Sequence, residues 1–403
     1  MTSKHSFHLD HFLLGLALTF PVYILTFVGM KPVIQGFAYL PYALIFFYFW
    51  YRSKNLFFSK KFILFWVIFL AAWIIPSVIN AYSGRLESDL VRLPVLFVHV
   101  AYMTMLLLSY GMYLSLNDNQ SLKKLLLNIS FMLSPLLIIL FIKTLLLEYD
   151  HPELRHSPFG ASPHFVGEIL LVFVFGVLFT KTYWVKAFIF FITLLFLILL
   201  ENRTGMIAFL ILLGGLSLRW YFINERVDRK KFAIVLIGVI LLLIPFYQMI
   251  YNFVDQHIFY ITSQSRGLGS GFTWRSIAWE RAYESILAKP FLGVGFWVKP
   301  YGYELAYKTY YWLSYNNPNF EIHSAWIRIF AENGLVLFSI IMSLLLIVII
   351  KCIVRRDLII LLIILSIMFY LSFVTRHLTL NLMNATLYML ILRTLFQDRF
   401  RLT

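Results

Sequence analysis

The sequence predicts an all-α polytopic membrane protein with about twelve transmembrane helices and one large helical loop facing outward. Three observations carry this expectation. Of the 403 residues, 61% are hydrophobic and 13% charged, against about 45–50% and about 25% in soluble domains. The apolar residues fall into blocks of roughly 17–25, the length that crosses a hydrocarbon core. Basic residues gather in every second connector, as expected where positive charge stays on the cytoplasmic side.

Spans are expected over 12–30, 33–51, 62–82, 94–116, 125–147, 167–182, 184–200, 205–222, 232–250, 335–353, 358–374 and 378–395. The first block runs straight into the second with no small-residue cleavage signature, so it reads as a permanent span. Pro32, Gly36 and Pro41 crowd the second block, the 167–182 block is short, and Pro135 and Pro245 are possible kinks. The chain thus divides into spans one to nine (1–250), a loop with two or more short helices (251–334), and spans ten to twelve with a tail (335–403).

Connectors holding Arg52/Lys54/Lys60/Lys61, Lys123/Lys124, Arg226/Arg229/Lys230/Lys231, Lys351/Arg355/Arg356 and Arg399/Arg401 are assigned to the cytoplasm, with both termini. The alternate connectors, 83–92, 150–166, 201–204, 251–334 and 375–377, face outward. The formal charge of +15 is absorbed by this arrangement, and no soluble basic domain suggests nucleic acid. The single cysteine, Cys352, allows neither an internal disulfide nor a cysteine metal site.

Within the outer loop, Thr273 is a candidate N-cap for a helix from Trp274 to Ala288, stopped by Lys289-Pro290. Arg275, Trp279 and Ala282 share one face of it. Gly293 and Gly295 mark a tight turn. Tyr301, Tyr303, Tyr307, Tyr311 and Trp312 follow, and aromatic density of this kind suits either sugar stacking or an interfacial belt. A second helix is expected after His323, with Ser324 or His323 at its start, an Arg328–Glu332 pair at i,i+4 and Gly334 as C-cap.

Three basic features share the outer level: Glu201-Asn202-Arg203-Thr204-Gly205, Arg266 with Arg275, and His323 with Arg328. Each arginine alone fits lipid-phosphate contact, and a lone histidine fits a structural role. Together they suit a diphosphate, because guanidinium forks bind phosphate oxygens and stay charged. Histidine can take a proton from a hydroxyl near neutral pH. The outer loops hold no Asp-x-Asp or His-x-x-x-His pair, so no metal and no cofactor is expected. Arg85, Arg92 and Arg155 lack this setting and read as boundary cations.

The stretches NRTGMIAFL (202–210), FTWRSIAWERAYESILAKPFLGVGF (272–296) and HSAWIRIFAENGLV (323–336) resemble, in order, the motifs of the O-antigen ligase/polymerase superfamily. That family has Arg-Thr/Ser-Gly at a span start, an Arg-x-x-x-Trp helix leading into a Pro–Gly turn, and a histidine before a helix ending Glu-x-Gly. Asn often follows the histidine, whereas Ser324 stands here. The resemblance implies a GT-C-like glycosyltransferase of the bacterial inner membrane with its active site facing the periplasm. Its donor would be a glycan on undecaprenyl diphosphate, and its acceptor, for a ligase, lipid A–core oligosaccharide. The implied mechanism is metal-independent and inverting. His323 would activate the acceptor, and Arg203 and Arg275 would hold the diphosphate, with Arg266 as a further diphosphate candidate. Trp279, Tyr301, Tyr303, Tyr307, Tyr311 and Trp312 are candidate glycan contacts.

Two other readings stand. A polymerase would extend the lipid-linked glycan itself; the single large loop favours a ligase, and the short tail argues against a protein oligosaccharyltransferase. A transporter or flippase would want ionisable residues inside its spans. Few are expected there: Lys143 and Arg393 lie near ends, and Lys186 near a boundary.

Overall fold

The computed structural model describes residues 3–27, 37–53, 93–116, 121–150, 163–200, 202–224, 286–293, 324–372 and 382–396, with single positions between 64 and 79 and at 279, 282 and 283. Among the described residues the regular structure is all helical. In chain order the helices are α1 (Ser3–Phe27), α2 (Leu40–Arg52), α3 (Leu93–Leu116), α4 (Ser121–Asp150) and α5 (Pro163–Val177). These are followed by α6 (Tyr183–Leu199), α7 (Arg203–Asn224), α8 (Ala325–Val354), α9 (Leu358–Ser372) and α10 (Leu382–Phe396). The described positions within the expected 62–82 span are helical too. The expected 232–250 span, with Pro245, lies outside the described residues.

Leu9–Phe27, Leu122–Leu146 and Ala325–Val354 are each long and apolar enough to cross a membrane, and shorter apolar helices accompany them. Pro41 occupies the first turn of α2, where its missing N–H costs nothing; the start expected at 33 lies outside the described residues. Pro163 likewise opens α5, which stops at Val177 instead of running to 182. α4 passes through Pro135. Proline cannot donate to the carbonyl four residues back, and the Ser134 hydroxyl donates to Phe131 O at 2.7 Å in its place. Tyr23 of α1 donates to the neighbouring Met132 O at 2.5 Å.

The packing is organised around two helices buried on nearly all sides. α5 buries Phe165, Val166, Ile169 through Val172, Val174 and Phe175 against α4, α6, α7 and α10. α10 is buried from Leu382 to Thr394. A helix apolar all round belongs in a core, whereas the outer helices turn one face away: α6 exposes Trp184, Phe188 and Phe191. α7 and α9 lie antiparallel, tied by Ser366 Oγ donating to Ala208 O at 2.9 Å.

The bundle has two chemically distinct ends. At one, Asp10 of α1 is buried and takes hydrogen bonds from Arg52 and, at 2.8 Å, from Tyr48 of α2. His11 bonds Tyr113 of α3, which stacks on Tyr110. Arg393 of α10 pairs with Asp357 at 3.3 Å. Lys351 and Arg355 donate to the last carbonyls of α10, those of Leu395 and Thr394, each at 3.3 Å, the favourable placement of cations at a helix C-terminus. α8 ends there with Arg356 at φ 57, where Asp357 N bonds Cys352 O and Arg356 N bonds Ile353 O. This is the Schellman pattern with an arginine at the left-handed position.

Candidate functional site at the opposite end

At the other end, α7 begins beside the first sequence motif. Asn202 is fully buried, and its Oδ1 accepts the Gly205 N–H at 2.9 Å. Its own carbonyl takes the Met206 N–H, also at 2.9 Å. Asn202 is therefore the N-cap, satisfying a donor that a helix start otherwise leaves open. Arg203 is the first residue of the helix. A Cβ on Gly205 would come within 2.8 Å of Leu197 Cδ2 and 3.1 Å of Asn202 Cγ. A Cβ on Gly167 of α5 would stand 1.8 Å from Asn202 Nδ2. The cap amide is thus seated between two glycines, which gives the glycine of Arg-Thr-Gly a steric reason.

α8 begins in the same way. Ser324 is extended (φ −161, ψ 120) and accepts the Ile327 N–H at 3.4 Å, so the serine that departs from the resembled pattern is an N-cap. Arg328 and Glu332 form the expected pair at 2.8 Å. As the sequence predicts, the loop helix and span ten are two helical segments of α8 that meet at Gly334, which is non-helical with φ 71 and ψ −175. That region is essentially closed to residues with a Cβ. The residues before the bend belong to the bundle, since Trp326 Nε1 donates to Met368 O and Ser372 Oγ of α9, both at 3.1 Å.

The bend is where the outer loop docks. The described positions at 279, 282, 283 and 286–288 are helical, and the helix ends at Ala288 as Lys289-Pro290 predicts. Its Trp279, Ala282 and Ile286 pack on Ile327 and Ala331 of α8, so Trp279 and Ala282 do share a face. The following turn lays its backbone on the bend. Leu335 N–H donates to Pro290 O at 2.8 Å and Val336 N–H to Phe291 O at 3.3 Å. These donors lost their helical acceptors to the bend. Gly293 (φ 69) and Gly334 face each other's backbone. A Cβ on Gly293 would lie 2.4 Å from Glu332 O, and one on Gly334 would lie 2.2 Å from Phe291 O.

Beneath this surface the helices are cross-tied. Tyr370 of α9 bonds the carbonyl of His164 in α5's first turn. Glu168, which is 1% exposed, accepts the Met383 N–H at the start of α10 at 2.9 Å. The N-termini of α5, α7, α8 and α10 therefore share one end of the bundle. Each helix start carries a partial positive charge of about half an electron, and the C-terminus of α6 at Leu199, beside the start of α7, carries the opposite sign.

Residues 188–342 match the family model described as O-antigen ligase. That segment is similar to the O-antigen ligase family. No curated protein matches the chain. All three motifs quoted from the sequence fall inside the matched segment, which takes in α7, the docked turn and the bend of α8.

Of the sequence-derived site residues, Arg203 is placed by its backbone at the start of α7, and Trp279 packs on α8. Residue 323 immediately precedes the Ser324 cap, but His323 itself lies outside the described residues. So do Arg266, Arg275, Tyr301, Tyr303, Tyr307, Tyr311 and Trp312. Arg275 stands one helical turn before Trp279 in sequence. The sequence reading passed over two residues, Asn202 as a cap and Glu168 as a carboxylate inside a span. Both had a signal: asparagine before an apolar helical run, and a lone acid in an apolar block. Among the described residues no cluster of His, Cys, Asp or Glu could hold a metal ion.

Proposed function

We propose that the protein is an O-antigen ligase. It would transfer a glycan from undecaprenyl diphosphate to lipid A–core oligosaccharide at the periplasmic face of the bacterial inner membrane. The observation that carries this reading is the position of Arg203. Within the family segment, it opens a capped helix at the end of the bundle where four helix N-termini meet. The fixed dipoles and a guanidinium fork there suit a diphosphate.

In this reading His323 takes the proton from an acceptor hydroxyl as its oxygen attacks the anomeric carbon. The bond from that carbon to the diphosphate oxygen breaks, and its electron pair leaves on undecaprenyl diphosphate. Arg203 and Arg275, with Arg266 as a further contact, stabilise the charge that develops on the leaving group. In-line displacement inverts the anomeric configuration. Because the diphosphate leaves readily, no second carboxylic acid is needed, in contrast to glycoside hydrolysis. The aromatic residues at 279, 301, 303, 307, 311 and 312 supply faces for the sugars.

The test is transfer by purified full-length protein supplied with lipid-linked glycan and lipid A–core. Glycan-bearing lipid A–core is the expected product. Growth of the lipid-linked glycan into a ladder without the core acceptor would instead identify a polymerase.

A further inference from the structure

We propose that Asn202 is the positioning residue for Arg203, fixing the backbone that carries it through a side chain held between Gly167 and Gly205. The inference rests on the reading of Arg203 as a diphosphate ligand.

Three observations converge. First, Asn202 is fully buried, so its amide is unavailable to a bulky glycan lipid. Second, both faces of the amide are fixed. Its oxygen holds the Gly205 N–H at 2.9 Å, and its nitrogen lies where a Cβ on Gly167 would stand 1.8 Å away. An amide this short cannot swing clear of such a contact as a long side chain could. Third, Gly167 is itself anchored. Its neighbour Glu168 holds the Met383 N–H of α10, and Tyr370 of α9 holds the carbonyl of His164. The first backbone unit of α7 is therefore referenced to α5, and through α5 to α9 and α10. An N-cap normally contributes stability alone. Here the residue after the cap is the ligand, so an error at the cap becomes an angular error in the guanidinium fork. Bidentate contact to phosphate depends on that angle.

Binding of undecaprenyl diphosphate to full-length protein in nanodiscs tests this directly, and works with inactive variants. Arg203→Ala should weaken binding about tenfold, the order expected for one lost ionic contact. Asn202→Ala should weaken it about as much while leaving lipid A–core binding unchanged. In the Arg203→Ala background, Asn202→Ala should add less than about twofold, since two residues acting through one contact are not additive. Asn202→Asp and Asn202→Ser keep a capping oxygen and should stay within about threefold of the parent. Should Asn202→Ala fail to yield folded protein, Asn202→Gly, which helix starts tolerate, carries the same expectation. Unchanged diphosphate binding in Asn202→Ala or Asn202→Gly overturns the proposal. So does an additive loss in the double variant. Unchanged binding in Arg203→Ala overturns the diphosphate reading beneath it, a result distinct from the other two.

Discussion

At the scale of single residues, three side chains carry the proposed chemistry and one glycine carries the geometry. His323→Ala should lower transfer by about 10²–10⁴-fold, the usual contribution of a positioned base, with the amount of folded protein unchanged. Wild-type transfer by that variant would remove His323 from the mechanism. Arg203→Lys and Arg275→Lys should each lower kcat/KM more than about tenfold, because an ammonium replaces the charge and not the fork. Gly334→Ala is a different kind of change. Its φ of 71 and ψ of −175 are strained for alanine, and the new Cβ would sit 2.2 Å from Phe291 O. A loss of about 3 kcal/mol or more is expected, read as a fall in thermal midpoint or in folded yield. At this scale the motif residues were legible in sequence, because glycine, arginine and histidine stand out between apolar blocks. The partner of each was not. Nothing near Asn202 in the chain announces Gly167, and nothing near Gly334 announces Phe291, since both contacts join distant segments.

At the scale of elements, hydrophobic blocks fix which stretches become helices, whereas caps and prolines fix where they stop. The blocks at 94–116, 125–147, 184–200, 205–222 and 358–374 fall on α3, α4, α6, α7 and α9 to within a few residues. The break inside α8 is legible in sequence, because a glycine after a polar helix marks its end; the 290–291 carbonyls then take the first donors of the segment that follows. Ser324→Ala should cost about 1 kcal/mol, restored by Ser324→Asp; an unchanged midpoint would mean that the cap contributes nothing to α8. Arg52→Ala should cost about 2 kcal/mol, because it withdraws a charged partner from the buried Asp10 and loosens α1 from α2. A double variant with Asp10→Asn should recover part of that loss.

At the scale of the whole molecule, the two ends of the bundle carry different groups. Lys351 and Arg355 close the C-terminus of α10 at one end, and the capped starts of α7 and α8 lie at the other. Under the proposed orientation the first end is cytoplasmic. In a Cys352→Ser background, Lys181→Cys, on the exposed α5–α6 connector, should react with an impermeant maleimide only after the membrane is opened. Glu153→Cys should react in intact spheroplasts, and the reverse pattern would invert the topology. The docked turn has a further bearing, on biogenesis. In lipid, a backbone donor without a partner is too costly to keep. The carbonyls that satisfy Leu335 and Val336 belong to Pro290 and Phe291, which leave the ribosome before α8 does. The span after Gly334 therefore arrives at a membrane where its cap has already been made, and the order of synthesis becomes an order of assembly.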